Sequence, residues 1–290
     1  MLHIGKSWRI KQIIEYMNGQ NTLSSKELAE LENALNRLSH FYSELEAFLP
    51  QISFNEHAPY RAFRFSDDEH TDSLVCYLKG VKAVSTLNAA LVLLKSGFTQ
   101  EVGALCRMVD EACNEILFLI KPEGENALSS SQEQFLDSFY QEEFSDSQNI
   151  LEAHNLRHTV PSQKIHASIA RTMSISINPS DAQAMTSVVQ KTLSGYIHGA
   201  YPQIMEMYGG NPSHFHMHGM LGTPRMVEWT AQVISYTDKL IMLSILVCRK
   251  LGVLGMEKIM QEFRFEFEAK FSTRSDLSPK ELLEAAKKSR

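Results

Sequence analysis

An all-α, multi-helix bundle is the fold class this sequence predicts, and three observations predict it. Apolar residues recur at i, i+3, i+4 and i+7 over long windows. Helix start and stop signals punctuate the chain at helix-length intervals. No window shows sustained strand alternation in competition. At 290 residues, with 43% hydrophobic and 21% charged residues, the chain has material for a buried core and is not globally disordered.

The elements follow in order. Ser24-Ser25-Lys26-Glu27 spells a capping box, so a helix runs to about Leu49 and stops at Pro50. Residues 51–66 contain Pro59 and no periodicity, and read as loop. A long helix spans about 67–95 and ends at Gly97. The next spans about 99–121, with Val102, Leu105, Cys106, Val109, Cys113, Ile116, Leu117 and Ile120 on one face. Ser130-Ser131-Gln132-Glu133 spells a second box, opening a helix to about Phe144. Further helices are expected over about 146–158 and 162–174. Asn178-Pro179-Ser180 then starts one from about Asp181. Its apolar stripe is Met185, Val188, Val189, Thr192, Tyr196 and Ala200. Thr223 before Pro224 starts a helix to about Leu251, Pro being favoured at the first helical position. Two shorter helices complete the chain. With no internal repeat or Gly/Ser tether, we expect one domain over 1–290. An N-terminal hairpin (1–58) packs on a main bundle (67–252), followed by C-terminal helices (253–290).

Bulk properties narrow the function. The formal charge of −6 offers no global attraction to nucleic acid or anionic membranes, so nucleic-acid binding would need a local basic patch. The amino terminus has no signal-peptide core. The apolar window LIMLSILVCRKLGVLG from Leu240 is broken by Arg249 and Lys250 and reads as a buried helix too short to span a bilayer. Cys76, Cys106, Cys113 and Cys248 form no CxxC pair and point to a reducing compartment, the cytoplasm.

Three places carry candidate chemistry. Arg107 and Glu111 lie four apart on one helix face, roughly opposite the apolar stripe, as a structural ion pair or as part of a pocket. Lys191, Ser194, His198 and Tyr201 form a second stripe on the later helix. Pro202 must end or kink that helix at His198, because its ring would clash with the His198 carbonyl. In SHFHMHG, His214, His216 and His218 alternate. Extended, they would point one way and could hold zinc; the other reading is a polar loop covering the His198 corner. His154 and His158 lack the intervening Glu of HExxH and read as exposed. No Glu-x-x-His occurs, against a di-iron bundle, and GxGxxG, GxxxxGK[ST] and GxSxG are absent. The stripe Arg225, Glu228, Gln232, Ser235 and Lys239 reads as a solvated face.

CRMVDEACNEILFL followed by LSGYIHGAY resembles a group of uncharacterised all-helical bacterial proteins with Arg-x-x-x-Glu and Ser-x-x-x-His-Gly elements. That group is distantly similar to the HEPN superfamily of helical nucleases and nucleotide-binding proteins. The resemblance covers roughly residues 70–250 in layout. It implies a helical bundle acting on nucleotide or RNA in defence or toxin systems. The sequence departs from the ribonuclease pattern: Lys191 stands seven residues before His198 where Arg is expected. Arg64 and His70 meet the spacing, but at a polar helix start.

Three functions therefore stand open. In the first, Arg107, Glu111 and His198 converge in a pocket for a phosphate-containing ligand, with Lys191, Ser194 and Tyr201 beside them and no cofactor. In the second, the chain is a helical interaction module forming a homodimer. In the third, His214, His216 and His218 bind metal.

Overall fold

The computed structural model describes residues 25–54, 63–120, 127–141, 151, 157–173 and 178–271. The all-α class holds: among these residues are nine α-helices and two two-residue strand pairs. The expected helix starts before Ser25 and after Phe271, and most of the 146–158 helix with His154, lie outside the described residues.

Helix α1 spans Ser25–Leu45 and runs into a short 3-10 turn, Glu46–Phe48. Strands β1 (Ser53–Phe54) and β2 (Phe63–Arg64) then pair antiparallel where the sequence reads only as loop. Helix α2 is Asp72–Lys95, five residues shorter at its start than the sequence suggests. Thr71 caps it by accepting from the Leu74 amide, and residues 67–69 form a separate 3-10 turn. α3 is Thr99–Leu119, α4 Ser130–Tyr140, α5 Ser162–Met173 and α6 Pro179–Ile197. The short α7 (Tyr201–Met205) leads into the hairpin β3 (Tyr208–Gly209) and β4 (His214–Phe215). α8 (Pro224–Leu251) and α9 (Leu254–Phe271) follow.

The punctuation explains itself residue by residue. The turn from α2 to α3 is a Schellman motif: Phe98 N–H donates to Leu93 O at 3.0 Å and Gly97 N–H to Leu94 O at 2.9 Å. Gly97 sits at φ +85°, where a side chain would strain the backbone and meet Met220 N. The capping box of α4 lies one residue earlier than the spelling suggests. Ser129 is the cap and Gln132 its reciprocal partner, because Gln132 also reaches the last turn of α3 through Phe118 O at 2.6 Å. Thr223 precedes α8 as expected, but its hydroxyl donates to Met220 O and caps nothing.

Helix α3 is the hub. It packs against α2, α5, α6 and α8, while α1 and α9 close the outer sides of α2 and α8. Its buried residues therefore run around the whole circumference, from Val102, Val109 and Ile116 to Arg107, Asp110, Ala112 and Asn114. A single core cluster joins all of these helices. By length and composition α2 and α8 are each apolar enough to cross a bilayer. α8 passes that test because it is much longer than the window from Leu240 considered in the sequence. In the fold, 72% of the α8 apolar window is buried inside the protein, and half of the α2 window.

Candidate functional site: a basic cavity on helix α3

Arg107 and Glu111 do form the i, i+4 pair the spacing predicts. Arg107 Nη1 donates to Glu111 Oε2 at 3.0 Å and Nη2 to Oε1 at 3.5 Å, with Arg107 Nε reaching Ser194 Oγ on α6 at 3.4 Å. The guanidinium side chain is only 10% exposed, while Glu111 is half exposed. Partners of this kind offset the cost of burying a guanidinium.

The pair borders a cavity of about 270 Å³ between α2, α3, α4, α5 and α6 and the segment around Arg157. Lys79 from α2 lies on its wall, ion-paired to Glu115 at 2.5 Å. Arg157 joins them, its Nε donating to Ser138 O at 2.8 Å. His166 of α5 also lines the cavity, with only 3% of its surface exposed and Nδ1 buried with no hydrogen-bond partner. Burial holds its pKa below the ordinary 6.5. Asp110 pulls the other way, and the Arg107 and Lys239 charges reinforce the depression. Glu115 is raised by burial, an effect that the Lys79 ammonium only partly offsets.

A buried polar triad adjoins this wall through Asn114, which lines the cavity. Lys239 Nζ of α8 donates to Asp110 Oδ1 at 3.1 Å and Asn114 Oδ1 at 3.2 Å, and Asn114 Nδ2 closes the ring to Asp110 Oδ2 at 3.0 Å. Burial pulls the Lys239 ammonium down, but the Asp110 carboxylate wins and raises it. The reading of Lys239 as part of a solvated stripe is thus corrected. Its side chain is 7% exposed because α8 turns that position toward α3. Ser235 of the same stripe is exposed, and Arg225 binds Glu228 at 2.8 Å.

His198 does not belong to the site. Pro202 ends α6 as expected, with His198 as its C-cap, Gly199 at φ +60° and α7 beginning at Tyr201. That geometry leaves the His198 side chain exposed and off the cavity wall. Lys191 and Tyr201 are exposed as well, and of the predicted stripe Ser194 alone reaches Arg107. The reason is helix phase. Leu193, not Thr192 or Val188, is the buried residue of α6, flanked by Val189 and Tyr196. Tyr196 can sit there because Gly103 of α3 has no side chain: a Cβ would stand 2.6 Å from the Tyr196 ring.

Two of the three alternating histidines, His214 and His216, come together, and His218 is not shown to join them. His214 lies in β4 with its ring 4.3 Å from that of His216, and His214 Nδ1 is 2.9 Å from Pro212 O. His218 is exposed. Among the described residues no group of three or more His, Cys, Asp or Glu side chains is placed to hold a metal. The loop's end docks instead on the α2–α3 turn, Met220 N–H donating to Gly97 O at 2.8 Å. It leaves the His198 ring uncovered. Arg64 and His70 lie on different elements, Arg64 exposed on β2 and His70 stacked on Tyr140 at 3.9 Å.

The residues that sequence reasoning missed are His166, Lys79, Glu115, Arg157 and the Asp110–Asn114–Lys239 triad. His166 carried a signal. It falls one turn before Ala170 and next to Ile165, inside the apolar stripe of SQKIHASIARTM, all three of them buried. The fold and the cavity together describe a helical bundle with a cation-lined cavity among its helices. The chain matches no family model, no curated protein and no solved structure.

Proposed function

We propose that the chain binds a small phosphate-bearing molecule in the Arg107 cavity. One observation carries this reading: a buried guanidinium, a second arginine and a lysine surround a cavity with the buried ring of His166 on its wall. Guanidinium groups suit phosphate oxygens through paired N–H donors. The volume sits at the small end of ligand pockets, which favours a mononucleotide-sized molecule over a length of RNA. Phe135, Phe139, Val160 and Ile165 supply an apolar side for the rest of the ligand. His166, and not His198, is the histidine that lines this cavity, and a neutral imidazole next to an anion can accept a proton. The four cysteines are free and buried, and burial pushes the thiols of Cys76, Cys113 and Cys248 up to about 12. Inert thiols of this kind agree with a cytoplasmic protein.

Titration calorimetry with inorganic phosphate, AMP and a short RNA tests the reading. Arg107→Ala should keep the helical circular-dichroism signal, since Glu111 can turn to water. It should weaken phosphate and AMP binding by about ten- to a hundredfold, the worth of one charged hydrogen-bonding group. His198→Ala and His216→Ala should bind like the parent. Absence of phosphate and AMP binding by the parent, or an Arg107→Ala protein that binds as well, would overturn it.

A second reading, self-association, is favoured by the exposed Tyr208, Phe215, Met217 and Leu221 around the hairpin. Met217→Asp should then turn a dimer into a monomer on sedimentation; a parent protein that sediments as a monomer removes this reading.

A further inference from the structure

We infer that the β3–β4 hairpin chelates one divalent transition-metal ion, zinc or copper in class, through the imidazoles of His214 and His216. Neither histidine lines the Arg107 cavity, so this site does not depend on the phosphate-binding reading. It narrows the three-histidine site that the sequence suggested to a two-histidine chelate.

The hairpin sets both rings in place. Tyr208 pairs with Phe215 and Gly209 with His214 across the strands, and the Tyr208 and Phe215 rings meet edge-on at 4.9 Å. Just past β4, His216 N–H donates to Met207 O at 2.9 Å. In extended backbone, positions two apart share a face. The rings of His214 and His216 accordingly lie side by side, their centres 4.3 Å apart and their planes at 48°. Metal–imidazole bonds of about 2.1 Å let one ion bridge rings whose centres lie up to roughly 6 Å apart. A Cβ on Gly210 would stand 3.5 Å from both His216 Nε2 and His214 Cε1, so the two ring edges face one point above the turn. Gly210, at φ +89°, has no side chain to fill that approach.

The hydrogen bonding of His214 suits a ligand. Its Nδ1 lies 2.9 Å from Pro212 O. A carbonyl oxygen only accepts, so Nδ1 carries the proton and Nε2 of the neutral ring keeps the lone pair. A ring nitrogen donating to a backbone carbonyl is the arrangement that orients metal-ligating histidines and raises their basicity. His214 is exposed and His216 half-buried, so an ion reaches the pair from solvent. Among the described residues no third His, Cys, Asp or Glu completes a group of three. Two imidazoles therefore hold the ion and water fills its remaining positions, an open site rather than a closed structural one. Imidazole donors select copper, nickel and zinc over magnesium and calcium, which take oxygen ligands.

Titration calorimetry of the tag-free full chain at pH 7.5 with zinc, copper(II) and magnesium salts tests the site. The chain has eleven histidines, so a His214→Gln/His216→Gln double variant measures metal bound elsewhere. Above that background the parent should bind one zinc ion per chain, copper more tightly in the Irving–Williams order, and magnesium not at all. His214→Gln and His216→Gln should each weaken zinc binding by at least about tenfold, the loss that follows even from removing an outer-shell partner of a metal ligand. His218→Gln should bind zinc like the parent, and every variant should keep the helical circular-dichroism signal. In ring ¹⁵N spectra of the parent, zinc should shift His214 Nε2 while Nδ1 stays protonated. A parent that binds zinc no more tightly than the double variant, or a His214 Nε2 resonance that ignores saturating zinc, overturns the inference. So does a loss in His218→Gln equal to that in His214→Gln, which would restore the three-histidine site.

Discussion

Asp238 shows how a single carboxyl can work against its own fold. It lies between α8 and α9 with Oδ1 buried and unpartnered. Burial raises its pKa from 3.8 to about 6, against the opposing pull of Arg264. An acid whose native pKa is raised favours the native state at low pH, where it is protonated, and loses that contribution as pH rises through 6. Asp238→Asn should therefore melt higher than the parent at pH 7.5, with the gap closing by about pH 3.5. Arg264 keeps Glu268 at 2.9 Å as its ion partner in that variant. A thermal melt showing no pH-dependent difference would refute the assignment. His166 has the opposite sense: a depressed histidine subtracts stability only below pH 6.5, as pH falls through its native value.

At the level of elements, the contact between α3 and α8 decides the most. It combines an apolar seam with the Lys239–Asp110–Asn114 triad, and the two parts respond differently to mutation. Lys239→Met keeps much of the volume but leaves the Asp110 carboxylate, 6% exposed, with neutral partners and no counterion. Removing one partner of a buried pair costs about 3–5 kcal/mol, and urea unfolding should show a loss of that order. Replacing Lys239 and Asp110 together by apolar residues should recover part of it. Helix boundaries were largely legible in the sequence because each rests on local chemistry: Pro224, Asn178-Pro179 and Gly97 act through their own backbones. The phase of α6 was not legible. Val188 and Leu193 are equally apolar, and the buried one is Leu193, on the helix whose Tyr196 fills the gap at Gly103 of another helix.

The whole molecule buries its two most apolar helices in its own centre. α2 and α8 pack on each other and on α3, and α1 and α9 flank them. Their length and composition fit a bilayer, but their apolar faces already have protein partners. After lysis and high-speed centrifugation without detergent, the protein should remain in the supernatant; recovery in the carbonate-washed membrane pellet would contradict the cytoplasmic reading.

The sequence by itself determined the all-helical class, most helix spans, the end of α6 before Pro202 and the Arg107–Glu111 pair. All of these depend on residues within about one helical turn of each other, where spacing is geometry. Tertiary structure alone decided which histidine meets Arg107. His198 stands four residues beyond Ser194, the residue that touches the guanidinium, yet points to water. His166 lies 59 positions along the chain from Arg107 and shares its cavity. Lys239 likewise turned from a solvated stripe into the counterion of Asp110. Each of these depends on how one helix is rotated against another. That rotation is set by summed packing over many weak contacts, which no local spacing encodes.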